Sequence, residues 1–316
     1  MRVGVLGAGR MGLPIARRLR TQFPVSGFDI APARLEDLRA NRIDVAPDMA
    51  SLARSVDVLT CVLPGATEQR AALLDPDLVR ALRPGAVVLD LTSGDPRTAD
   101  EFVRSLPDGV GYVAAPMSGD PSNAAVGSLT FYIAGAPHDV TTVRPVLRLL
   151  AGAESRLRLV GEHAPVAATT KLLINALWFA QALLVSEVLL IARADGLPDS
   201  MFAQILHGGP SDSTFIRDYL PAIIAGDYVE SFGIDRVVEE LDSVLALGRD
   251  HGIAPGGLAV VRDRHDEALA LYGPVPGELL VARLLLEGAP QSLATNPGSL
   301  IGTDDDVVHG ATEGDE

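Results

Sequence analysis

Of the 26 basic residues in the chain, 25 are Arg and one, Lys171, is Lys. Arginine stays protonated near neutral pH and presents a planar fork, whereas lysine is a compact donor whose proton becomes transferable when burial lowers its pKa. A lone lysine in such a chain is either a remnant of codon usage or a position where Arg cannot do the chemistry. The second reading makes Lys171 a candidate acid–base group. A second chemical pattern is Gly7-Ala8-Gly9-Arg10-Met11-Gly12, which follows the apolar run 3–6. There the first glycine permits a tight turn, the second lets backbone approach a pyrophosphate, and the third lets a helix pack closely on a strand. Phosphates then face the helix N-terminus, where free N–H groups and the dipole favour anions. Asp29 follows 17 residues after Gly12, where an acid can grip the adenosine ribose diol. A carboxylate there repels a 2′-phosphate, so NAD is the expected cofactor. NADP is kept open by Arg34, which can swing towards such a phosphate.

These groups need elements to hold them. Apolar runs at 3–6, 25–28, 56–62, 86–89 and 111–114 read as strands, with later ones at 131–134 and 156–160. Helical patterns such as 11–19 and 32–39 lie between the early strands. Strands that are apolar throughout and alternate with helices predict a mainly parallel sheet covered on both faces. From Pro165 to about Ala194 the period becomes helical without a break, with Pro in the first turn and Gly196 just past the end. Apolar residues nearly all round that helix predict central burial or a partner. Further helices are expected at 199–206, 212–225, 233–251, 255–272 and 276–286, with no strand. The fold class is therefore α/β: an N-terminal Rossmann domain over 1–163, then an all-α substrate and dimerisation domain over 164–290. Residues 291–316 are Pro/Gly/Ser/Thr-rich and carry Asp304, Asp305, Asp306, Glu313, Asp315 and Glu316 without Lys or Arg. They read as a disordered acidic tail.

Composition excludes several classes. The chain has 316 residues, a formal charge of −15 and 47% hydrophobic residues. It is too apolar to be disordered, and no basic stripe is present to neutralise nucleic-acid phosphates. One cysteine, Cys61, excludes a disulfide framework and a Cys-based zinc site. The six histidines show no metal spacing; His207 alone lies in a loop expected to approach the site, and an inter-helix cap explains it better. No uninterrupted apolar run approaches the roughly 18–20 residues that span a bilayer, and the N-terminus reads as a strand rather than a signal peptide. No metal, membrane or nucleic-acid partner is expected, and a cytoplasmic location is.

Three more segments complete a pattern: Asp90-Leu91-Thr92-Ser93, Ala115-Pro116-Met117-Ser118-Gly119 with Gly127-Ser128-Leu129-Thr130, and Thr170-Lys171-Leu172-Leu173-Ile174-Asn175. With the glycine motif extended to Ala16, the chain resembles the β-hydroxyacid dehydrogenase family over roughly residues 1–285. That family includes 3-hydroxyisobutyrate dehydrogenases and tartronate semialdehyde reductases. The resemblance implies that Lys171 is the catalytic lysine and Asn175 its partner one helical turn later, an i, i+4 pair on one face. It implies that Ser118 and Gly119 hold a substrate carboxylate, that Leu63 and Pro64 follow the strand passing the cofactor, and that Ser93 lies beside the nicotinamide. Gly7, Ala8, Gly9, Arg10, Met11, Gly12, Asp29, Ile30 and Glu239 join the expected cofactor set. Asp120 and Phe232 join the substrate set. Relatives assemble through the helical domain, so a homodimer or homotetramer is expected.

Two departures stand out. Asp120 occupies a position where the family usually has a second glycine, and Glu239-Glu240 follow Phe232 where it usually has Lys-Asp. If both departures line the pocket, a doubly anionic substrate is disfavoured and one bearing an ammonium gains; solvated acids are the plainer alternative. The expected activity is NAD(P)-dependent interconversion of a small β-hydroxy acid and its semialdehyde or β-keto form. The alternatives are a β-hydroxy-α-amino acid dehydrogenase, an imine reductase on the same scaffold, and a nucleotide-binding scaffold without catalysis.

Overall fold

The computed structural model describes residues 1–230 and 232–290. The acidic tail expected over 291–316 lies outside the described residues. By contact density the chain divides into two compact units, one of residues 1–180 with 230–276, the other of 181–229 with the chain from 277 onward.

The first unit is built on nine strands: β1 Val3–Leu6, β2 Val25–Phe28, β3 Asp44–Val45, β4 Val58–Cys61, β5 Val87–Asp90, β6 Gly111–Ala114, β7 Met117–Ser118, β8 Thr130–Gly135 and β9 Leu157–Gly161. Strands β3-β2-β1-β4-β5-β6 lie side by side and all parallel. This is the doubly wound order of a dinucleotide-binding sheet, with its switch point beside β1. β8 runs antiparallel to β6 and β7 and parallel to β9. The sequence expectation of a mainly parallel sheet is met. The two-residue strands β3 and β7 escape sequence reading because two residues carry no period.

Alternation along each strand explains the apolar runs. Val87 and Leu89 enter one core with Val3, Val5, Ile15, Leu19 and Phe131. Val88 enters the other with Leu59, Cys61, Phe102 and Tyr112. A strand packed on both faces has no side free for polar residues. Helices Gly12–Leu19, Ala66–Leu73 and Pro96–Ser105 follow β1, β4 and β5, so the loops at the carboxyl ends of these parallel strands gather at one end of the sheet. The last begins with Pro96 and is capped by Asp95, whose side chain accepts from the Arg97 N–H, a cap of about 1 kcal/mol.

The helix Pro165–Ala194 runs for 30 residues. Although no uninterrupted apolar run is this long, the helix corrects the expectation that nothing reaches bilayer length. It is long and apolar enough to cross a membrane by length and composition only, and about two fifths of its most apolar stretch is buried. Isolated polar residues such as Ser186 interrupt its apolar sequence without making the helix polar. Its residues 165–180 belong to the first unit, which also takes in helices Ile234–Asp250 and Gly256–Tyr272, and its residues 181–194 belong to the second. In the second unit, Asp199–Leu206, Thr214–Ala225 and Leu280–Gly288 are helical. A buried Arg193–Asp199 pair at 2.7 Å fixes the turn after the long helix, and His207 forms the C-cap of Asp199–Leu206. After β9 no strand is present among the described residues.

Candidate active site

At the carboxyl end of β1 the chain turns through Gly7, whose φ is +93°. A Cβ at Gly7 would lie 2.2 Å from the Val62 carbonyl oxygen, and one at Gly12 would lie 1.9 Å from that of Gly7. Both glycines are therefore required by close backbone approach. Gly9 differs, because a Cβ there would meet nothing within 4 Å. Its missing side chain leaves room that no protein atom fills, which is what a phosphate cradle requires. A cavity of about 490 Å3 opens here, lined by Gly7, Gly9, Arg10, Met11, Gly12, Asp29, Ile30, Leu63 and Pro64 together with Glu68, Phe232 and Arg236. A largely apolar cavity of this size with a few placed polar groups suits a cofactor. Ala8 does not line it but donates its N–H to Asp29 Oδ2 at 2.7 Å, while Ala31 N–H donates to Oδ1 at 2.8 Å. Asp29 is thereby held at the end of β2. Arg34 pairs with Asp37 at 3.0 Å on its own helix.

Behind the cavity, a buried cluster sets the loops that follow β4 and β5. Asp90 accepts from Gln69 Nε2 at 2.6 Å, Tyr112 Oη at 2.9 Å and the Thr92 N–H at 3.0 Å. Thr92 Oγ1 in turn accepts from the Leu63 N–H at 3.2 Å. Burial pushes the Asp90 carboxyl above the usual carboxylate range, against the downward pull of these donors. It also pushes the Tyr112 hydroxyl well up, helped by the neighbouring Asp90 charge. The cluster places Leu63 and Pro64 on one loop and Thr92 and Ser93 on the next.

Lys171 and its neighbours form a separate cluster made of side chains. Lys171 Nζ donates to Asn175 Oδ1 at 2.8 Å and lies 3.3 Å from Ser118 Oγ. Asn175 Nδ2 donates to Glu240 Oε2 at 2.6 Å. Glu240 is only 5% exposed. These residues come from β7, the long helix and the helix Ile234–Asp250. Lys171, Asn175 and Ser118 do not line the 490 Å3 cavity. A narrow pocket beside that cavity is shared by Pro64, Ser93, Leu172, Phe232, Arg236, Glu239 and Glu240, and so lies between the two groups.

The two family departures have local partners. Asp120 caps the helix Pro121–Val126, its carboxylate accepting from the Ser122 and Asn123 N–H groups. Hydrogen bonds from Ser122 and Asn123 hold its carboxyl below the usual range. Gly119, with φ at +127°, precedes it. Glu239 accepts from Arg236 at 2.9 Å and from the Thr67 hydroxyl at 3.1 Å. Arg236 also reaches Glu68 at 2.7 Å. Arg10 donates to the Glu230 carbonyl. The negative charge of Glu239 is thus answered one turn back by Arg236, a residue sequence reading passed over. Sequence reading named Glu240 with Glu239 as a departure but gave it no place in the site. Its signal was helix phase, since position 240 falls in step with the buried Val237, Leu241 and Val244. Among the described residues no group of three His, Cys, Asp or Glu side chains is arranged to hold a metal.

Comparison with known proteins agrees with this layout. Residues 2–161 match the NAD binding domain of 6-phosphogluconate dehydrogenase. Residues 166–285 match the NAD-binding domain of NADP-dependent 3-hydroxyisobutyrate dehydrogenase. An L-threonate dehydrogenase of Cupriavidus necator is 26% identical over 251 residues, covering 78% of this chain and 83% of its own. An NAD-dependent L-serine dehydrogenase of Pseudomonas aeruginosa is 24% identical over 224 residues, covering 69% and 73%. The structure of Mycobacterium tuberculosis 3-hydroxyisobutyrate dehydrogenase with L-serine shares the fold at a TM-score of 0.80 and 20% identity, over 90% of this chain and 98% of that one.

Proposed function

The chain belongs to the β-hydroxyacid dehydrogenase family of NAD(P)-dependent oxidoreductases, and from that premise we propose that it interconverts a small β-hydroxy acid and its carbonyl form with Lys171 as the general acid and base. The observation that carries the reading is the position of the lone lysine, within hydrogen-bonding distance of both Asn175 and Ser118. NAD(P), when bound, takes up or supplies the hydride. Lys171 Nζ then takes the hydroxyl proton in oxidation or returns it to the carbonyl oxygen in reduction. Asn175 holds the lysine, and Ser118 with the Gly119 backbone grips the substrate carboxylate. The glycine loop and Arg10 take the pyrophosphate, while Asp29 takes the ribose diol and favours NAD over NADP.

Two acids that would favour a substrate ammonium are engaged elsewhere, Asp120 in a helix cap and Glu239 with Arg236. A plain hydroxy acid is therefore the first substrate class, and a β-hydroxy-α-amino acid such as the L-serine named for two relatives is the second. The test is a panel of 3-hydroxyisobutyrate, L-threonate, L-serine, tartronate semialdehyde and a cyclic imine, run with each cofactor. Turnover of the imine alone would overturn the reading.

Assembly belongs to the same proposal. Leu173, Leu177, Leu184, Val188 and Ile191 are all exposed along the long helix. Their spacings of three, four and seven residues align them on one face, which we assign to a homodimer or homotetramer contact. Leu177→Glu with Leu184→Glu should reduce the molar mass measured by light scattering. An unchanged mass would remove this assignment.

A further inference from the structure

We propose that Glu240 is a positioning residue that sets the direction of the Asn175 amide and, through it, holds Lys171 in place for proton transfer. The inference rests on the reading of Lys171 given above and adds a residue to it. Glu240 is buried, and its Oε2 accepts from Asn175 Nδ2 at 2.6 Å, the shortest link in the run from Ser118 through Lys171 and Asn175 to Glu240.

The chemistry of the three groups dictates one arrangement. A carboxylate only accepts, an ammonium only donates, and a primary amide does both, from opposite corners. Asn175 between them must turn its NH2 to Glu240 and its carbonyl oxygen to Lys171. The reverse orientation would set N–H against ammonium and oxygen against carboxylate, two repulsive contacts in a poorly solvated place. The charge on Glu240 thus selects the amide orientation that leaves an acceptor facing Lys171. The Glu240 carboxylate, two hydrogen bonds from Lys171 by way of the Asn175 amide, also favours the protonated lysine. Its neighbour Glu239 points to Arg236 and Thr67, so the adjacent acids have separate tasks. A neutral Gln at 240 donates as well as accepts, so it no longer distinguishes the two amide orientations.

The test compares Glu240→Gln, Asn175→Ala, the double variant and Lys171→Arg in the full chain, using NAD with 3-hydroxyisobutyrate, L-threonate and L-serine. Glu240→Gln should lower kcat about tenfold to a hundredfold, the scale of a misplaced catalytic group, while KM stays within about threefold. The double variant should be no slower than Asn175→Ala, because one residue acts through the other. A second readout needs no substrate. Lys171 is the only lysine, so its labelling by trinitrobenzenesulfonate can be followed against pH on a single peptide. In Glu240→Gln the labelling profile should move to lower pH. Should that variant not fold, Glu240→Asp keeps the charge but withdraws it by one methylene, and a smaller kcat loss than in Asn175→Ala is then expected. Wild-type kcat in Glu240→Gln, multiplying losses in the double variant, or an unmoved labelling profile would each overturn the inference. Active Lys171→Arg would instead remove the underlying reading, and inactive Lys171→Arg beside fully active Glu240→Gln would remove only the role of Glu240.

Discussion

The glycine-loop cavity and the lysine cluster are built in opposite ways. The first is backbone: Gly7, Gly9 and Gly12 lie within six residues, and two of them are needed because carbonyl oxygens approach within 2.2 Å of where a Cβ would stand. The second is side chain: Ser118, Lys171, Asn175 and Glu240 come from three elements, with links spanning 53 and 65 residues of sequence. A backbone site fails by steric exclusion, so even a methyl group is too much. A side-chain site fails by charge and orientation, so it tolerates volume but not the wrong donor or acceptor.

The largest expected effect probes the side-chain site. Lys171→Ala and Lys171→Arg should lower turnover by about 10² to 10⁴-fold, the usual contribution of acid–base catalysis. Dissociation constants for NADH, read from fluorescence, should stay near wild type. Loss of NADH binding in Lys171→Arg would show that the two regions are not separable.

The glycines give the next contrast. Gly12→Ala should destabilise the protein by about 3 kcal/mol, since overpacking against backbone has no flexible neighbour to yield. Gly9→Ala should leave the melting temperature unchanged yet weaken NADH binding about tenfold, because its Cβ enters only the space proposed for phosphate. Full-strength binding by Gly9→Ala would count against the cradle.

Acid should act on the lysine side. His265 is buried, its Nδ1 2.8 Å from the Val261 carbonyl, and its ring lies 5.8 Å from Phe179 on the same helix as Asn175. Burial lowers its pKa from 6.5 to about 4. The folded state prefers the neutral ring, so this contribution is fully present above pH 6.5 and is lost as pH falls towards 4. The loss reaches about 3 kcal/mol. Melting curves of wild type and His265→Phe should therefore differ less in their drop above pH 6.5 than between pH 6.5 and 4. Parallel pH dependence of the two proteins would disprove the assignment.

The smallest effect concerns the cofactor ribose. Asp29→Ser should shift the NAD-to-NADP preference by about tenfold, or 1.4 kcal/mol, without altering kcat. An unchanged ratio would place the discrimination elsewhere.

These contrasts match what could be read before the fold was known. The glycine motif, Asp29 and the apolar strands are local patterns, each readable within one turn or one period. The long helix was readable in extent, and Lys171 with Asn175 by its four-residue repeat. Asp120 is legible as a helix cap, since Asp120 and Asn123 form a capping box with Pro121 at the first helical position, while its place beside Ser118 fits a pocket residue equally well. Arg236 with Glu68, 168 residues apart, has no local signature at all.

Sequence alone determined the doubly wound sheet, the dinucleotide motif and the identity of the lone lysine, because these depend on period, backbone freedom and residue type. Only the tertiary structure decided which of two adjacent acids meets Asn175 and which meets Arg236. That choice depends on the rotation of one helix about its axis, where a single residue step turns the side chain by about 100°. Packing of Val237, Leu241 and Val244 into the interior sets that rotation, and it carries Glu240 inward with them.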